Sequence, residues 1–205
     1  VSEAEPPELR EDLLDDLDSD PALAAAVLEI ESHIADAGWD QPARLYALVE
    51  TARLVEHEPR LAAAMGLDSS AARGSLTPVE QDELPLDQPL EDVLTSIAWP
   101  DGVAGCAAVV ERLVLPPGAD SEIPDDREGA TAYAAEHPDR QEVRMVAGVT
   151  RAGATYCALR LRAHDDDQSV VGGSELVPAL LELLRATFDD SDEQTDQADE
   201  DGRTR

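Results

Sequence analysis

The chain has no lysine. Its 15 basic residues are all arginine and stand against 46 Asp and Glu, for a formal net charge of −31. Phosphate backbones are held by clustered positive charge, so ordinary nucleic-acid binding is disfavoured, and an anionic membrane surface would repel the chain for the same reason. Aromatic residues make up only 3% of the sequence. The core must therefore be assembled from Ala, Val and Leu in many small contacts rather than around a few rings. Two cysteines, Cys106 and Cys157, do not make a disulfide framework in a chain of 205 residues. No apolar run approaches the ~18 residues of a membrane span. No leader peptide is visible either, and together these set the expectation of a cytoplasmic protein without membrane insertion.

Hydrophobic residues account for 42% of the chain, enough for a real core, and its 205 residues suit one domain with tails. Acids crowd at both ends. Residues 1–19 read as a flexible acidic arm, 20–188 as a single domain, and 189–205 as a disordered acidic tail. Leu9, Leu13, Leu14 and Leu17 have helical spacing that would let the arm dock, but its charge density favours a solvated segment. The acidity of the body favours solubility or a basic partner. A salt-adapted or GC-rich source would produce the same all-arginine, acid-rich bias.

Local patterns give the architecture. Asp20 and Pro21 are start signals for a helix over 21–37, with Leu23, Val27, Ile30 and Ile34 on one stripe and Gly38 as its stop. Alternation predicts strands at 44–49, 104–115, 142–150 and 155–163, the last two joined by a turn at Gly153. A helix broken at Pro59 fills 51–65, residues 67–88 read as loop, and short helices are expected near 89–98 and 127–136. Ser174 is placed to cap a final helix over 175–188, striped with Leu176, Leu180, Leu183, Leu184 and Phe188. The expected fold is α+β and two-layered, an antiparallel sheet of about four strands packed against helices 21–37 and 175–188.

Two candidate sites stand out. His164, Asp165 and Asp167 end a strand and offer donors for a divalent cation, although neighbouring strand residues point to opposite faces and need a turn to converge. Arg112, Arg144, Arg160 and Arg162 would form an anion grip on the sheet, the simpler reading being cross-strand pairing with Glu111 and Glu142. Trp39 and Trp99 lie in turns and serve either as core plugs or as an interaction surface. The cysteines fall in apolar strands and read as buried, inert thiols. No cofactor motif is present.

The segments Gly38-Trp39-Asp40-Gln41-Pro42, Leu76-Thr77-Pro78, Ile97-Ala98-Trp99-Pro100, His137-Pro138-Asp139-Arg140-Gln141-Glu142 and Leu159-Arg160-Leu161-Arg162-Ala163-His164-Asp165-Asp166-Asp167 resemble an uncharacterised actinobacterial family of small acidic proteins. The resemblance covers about 21–188 and implies an actinobacterial, cytoplasmic protein. It implies no activity, cofactor or catalytic residue. The helix–meander–helix order is also similar to secretion chaperones and small adaptors, an analogy at the level of fold. The expected function is a non-enzymatic protein-binding or adaptor module with a protein partner, a homodimer included. The alternative is a metal-dependent or anion-binding enzyme using the 164–167 turn and the Arg160/Arg162 strand face.

Overall fold

The computed structural model describes residues 20–67, 73–85, 88–116, 118–119, 123–124 and 126–188, so the expected acidic arm and tail lie outside the described residues. Helix α1 (Pro21–Asp36) starts where Asp20 Oδ1 accepts from the N–H groups of Ala22 and Leu23, at 2.9 and 3.3 Å. These are orphan donors that a helix start must satisfy. Gly38, at φ 83°, turns the chain out of the helix. Strand β1 (Arg44–Glu50) follows, then the short helices α2 (Thr51–His57) and α3 (Pro59–Ala64), split where Pro59 opens a new first turn.

The chain continues through β2 (Leu76–Glu80), α4 (Leu90–Leu94), β3 (Gly105–Val114), α5 (Arg127–Glu136), β4 (Gln141–Thr150), β5 (Thr155–Leu161) and β6 (Val171–Gly173). It closes with helix α6 over 178–188. The strands form one antiparallel sheet in the order β2-β1-β3-β4-β5-β6. The sheet therefore has six strands rather than about four. β2 and β6, the two unexpected ones, are its edges, where Pro78 is tolerated because an outer strand has an unpaired side. The last expected strand stops at Leu161, and Arg162–His164 forms a 3-10 turn. Helix α6 opens at Pro178 rather than at 175, and Gly172 and Gly173 belong to β6.

Strand alternation sends apolar side chains to both faces, so the sheet is covered twice and the fold has three layers, not two. On one face α1 lays Leu23, Val27, Ile30 and Ile34 against Tyr46, Leu48, Ala107, Val109, Val146 and Ala158. On the other, α4 and α6 bring Leu90, Leu94, Leu181, Leu184 and Phe188 onto Ala47, Cys106, Ala108, Ala147, Val149 and Cys157. The sheet's small residues let α1 sit close: a Cβ on Gly148 would lie 2.7 Å from Val27 Cγ2. No helix among the described residues is long and apolar enough to cross a membrane.

Candidate functional site

The α1 face of the sheet is apolar until its lower end, where it becomes charged. Glu111 on β3, Arg144 on β4 and Arg160 on β5 lie directly opposite one another in the ladder. Side-by-side arginines repel unless carboxylates are interleaved. Glu111 Oε1 takes Arg144 Nη2 at 2.9 Å and Nε at 3.1 Å. Arg160 is met from above by Glu31 of α1, Nε to Oε1 at 2.6 Å and Nη2 to Oε2 at 2.8 Å. Both side chains of that fork are 3% exposed, and Arg144 is fully buried. The Glu31 hydrogen bond, despite opposing desolvation, raises the Arg160 pKa and holds it charged.

The turn after α1 caps this row. Gly38 and Asp40 both adopt positive φ, 83° and 65°, which aims the Asp40 and Gln41 N–H groups at Glu111 Oε2, 2.8 and 3.3 Å away. The Gly38 carbonyl accepts from Arg144 Nη2. The Trp39 ring lies over the Arg144 guanidinium, 4.4 Å from Cζ to the ring centroid, and within 5.6 Å of Arg162. Arg144 Nη1, which has no hydrogen-bond partner among the described residues, belongs to this stacked guanidinium. Arg162 forks onto Asp40 with two 2.9 Å bonds and reaches Glu142 as well. The Arg162 hydrogen bond holds the Asp40 carboxyl below the usual carboxylate range.

The turn after β5 closes the network. Asp166 accepts from the Gln168 N–H and the Ser169 hydroxyl, at 3.1 and 2.7 Å, bending the chain back on itself. The Ser169 bond, with these backbone donors, lowers the Asp166 pKa. The bend returns Asp167 and Asp165 to Arg160, at 2.9 and 3.5 Å, and gives the Trp39 indole N–H its acceptor, Asp165 Oδ2, at 2.9 Å. The Gly-Trp-Asp-Gln-Pro and Arg-Leu-Arg-Ala-His-Asp-Asp-Asp segments, more than a hundred residues apart, thus form one structure.

Arg144, Arg160 and Arg162 are gathered by the fold, each with carboxylates already on it. Arg112 is not with them. Strand parity puts it on the α6 face, where it approaches Glu91 at 3.8 Å. Asp165 and Asp167 are turned onto Arg160, while His164 lines a separate hollow with Arg140, Glu142 and Arg162. Among the described residues no group of three or more His, Cys, Asp or Glu could hold a metal ion. Trp99 is not a surface residue: it is 6% exposed, donates to Thr187 Oγ1 at 2.9 Å and packs against Phe188. Both thiols are buried, and burial pushes Cys106 up to about 12 and raises Cys157. Glu31 and Asp40 were not expected in the network. Glu31 had a signal, since it falls four residues after Val27 and so on the buried side of α1.

The α6 face has an open feature. Leu90, Val110, Met145, Val177, Leu180 and Leu183 wall a hollow of about 280 Å³, with Glu91 and Arg112 at its rim. A second hollow of about 190 Å³, between Pro42, Leu84 and Pro89, shares Leu90 and Arg112 with it.

Fold and site together define a three-layer α+β protein whose sheet is locked to its first helix by an internal arginine–carboxylate network and whose opposite face carries an open apolar hollow. The chain belongs to the PPA1309-like protein family, whose model matches residues 23–189. Comparison with the curated proteins and with the solved structures finds no match.

Proposed function

We propose that the chain is a protein-binding module of the adaptor or chaperone-like kind, acting in the cytoplasm by holding a partner rather than by chemistry on it. The observation that carries this reading is the apolar hollow beside α6. It leaves Met145 of the sheet and Val177, Leu180 and Leu183 beside it only half-buried. Exposed Leu113 and Leu176, on β3 and just before α6, extend the apolar surface of the chain. Apolar concavities of this kind are where proteins take up side chains of a partner. The arginines that an anion-binding enzyme would use are occupied by Glu31, Glu111 and Asp40, and freeing Arg160 would leave Glu31 buried without its partner.

The test is site-specific photo-crosslinking in cells of the source organism. A photoreactive residue at position 179, beside the hollow, should give an adduct of defined mass. The same residue at position 29, exposed on the α1 face, should give none. Equal labelling from both positions, or none from 179, refutes the reading.

A further inference from the structure

The hollow beside α6 does not end at its own walls. It shares Leu90 and Arg112 with the second hollow, and that one shares Pro42, Ala43 and Leu84 with a third of about 250 Å³. The third is lined by Arg44, Glu80, Gln81, Asp82 and Glu83 as well. The three form one trough across the end of the sheet, apolar beside α6 and acidic beside the edge strand β2. Glu80 is occupied by Arg44 at 2.8 Å. Asp82 and Glu83 are exposed and have no ion-pair partner among the described residues. Pro42, Pro85 and Pro89 line the middle without backbone N–H groups, and the Pro85 and Pro89 carbonyls accept from Gln88 and from Asp92 and Val93.

Resting on the protein-binding reading above, we propose that this trough takes an extended segment of a partner protein in which apolar side chains are followed by arginine or lysine. Three small hollows in a row suit successive side chains of an extended chain better than one compact ligand. The apolar end would bury the leading residues. The acidic end, where Asp82 and Glu83 are exposed and have no ion-pair partner among the described residues, matches donor-rich cationic side chains, and the net charge of −31 draws such a segment in.

Fluorescence anisotropy on the full chain tests this with three synthetic dodecapeptides: one carrying two leucines followed by three arginines, one with glutamates for the arginines, and one with serines for the leucines. The leucine–arginine peptide should bind at least tenfold more tightly than either other. Ala179→Trp, which fills the apolar hollow from an exposed position, should weaken it tenfold or more. The double variant Asp82→Arg/Glu83→Arg should do the same, with thermal melting confirming that both variants fold. Equal binding of the glutamate peptide, or binding that ignores Ala179→Trp and disappears with salt alone, overturns the proposal. A dimer in sedimentation that Ala179→Trp dissolves also overturns it, since the occupant is then a second copy. If a partner crosslinks at position 179 while no peptide binds, the trough assignment fails and the protein-binding reading stands. Absence of both peptide and crosslinked partner removes the two together.

Discussion

Removing Arg160 should cost far more than removing its buried partner Glu31. The two form a doubly hydrogen-bonded pair at 2.6 and 2.8 Å with both side chains 3% exposed. Arg160→Leu leaves Glu31 with no other partner among the described residues, facing the apolar contacts of α1. An orphaned buried charge of this kind costs about 3–5 kcal/mol. Glu31→Leu leaves Arg160 with Asp167 and Asp165, whose side chains are 88% and 47% exposed and so can follow it. The loss is then nearer that of one charged hydrogen bond, about 1–3 kcal/mol. The double variant Glu31→Leu/Arg160→Leu removes both charges and should recover most of the stability, giving a coupling of about 2 kcal/mol or more. Equilibrium urea unfolding followed by tryptophan fluorescence measures all three, with Trp39 and Trp99 reporting opposite faces of the sheet. For a domain of this size the larger loss corresponds to a fall in Tm of roughly 6–20 °C. Equal losses from the two single variants, or a double variant that loses their sum, would refute the account of the pair as mutually dependent.

Alkaline stability should be limited by the thiols. Burial raises Cys106 from 9.0 to about 12, so its contribution is complete below the unfolded value and is lost as pH rises. Native stability should fall above pH 9 by about 1.4 kcal/mol per unit for this group. Cys157 acts in the same direction, and Cys106→Ala should flatten the slope in a pH series of urea titrations. At the acid end the sign reverses. Asp40 is lowered by Arg162, so its contribution is present above the ordinary carboxylate value and is lost as pH falls through its lower folded one. Trp39 fluorescence should therefore be constant from pH 7 to about 4 and shift only below that, and Arg162→Leu should move the shift to higher pH. Gly148→Ala should destabilise by about 1–3 kcal/mol, because its new methyl meets Val27 and α1 must retreat. Gly105→Ala should be worse, with a Cβ 2.5 Å from the Val149 carbonyl oxygen and no side chain to yield. Thermal melts decide both.

The elements that could be read from the chain were those with a single strong period. The stripe of α1 and the alternations of β3, β4 and β5 need only neighbours in sequence to be seen. β2 was hidden because Pro78 sits in the middle of Leu76–Glu80 and argues against a strand unless its edge position is known. β6 was hidden because two of its three residues are glycine. The start of α6 was read too early, since Ser174 is a good cap in isolation while Pro178 sets the real first turn. At the site, parity alone groups Arg144 with Glu111 and Arg160. It cannot supply Glu31, which arrives from a helix 129 residues earlier in the chain. Nor can it supply the turn geometry that carries Asp40 to Arg162 or swings the aspartates of 165–167 away from His164. The first depends on how α1 docks, and the second is made by the local Asp166 turn, whose direction strand parity does not carry. The open trough is likewise a property of three segments meeting.

The position of α6 bears on how the molecule is made. Every strand of the sheet precedes it in the chain, yet it supplies Leu181, Leu184 and Phe188 to one face. During synthesis α1 can settle on its side as soon as the first five strands have emerged. The surface bearing Cys106, Ala108, Val149 and Cys157, covered until then in part by α4 and Trp99, must wait for the ribosome to deliver residues 178–188. A nascent chain held at that stage exposes an apolar sheet to its surroundings. Truncation just before residue 178 should therefore yield aggregates rather than a smaller folded protein.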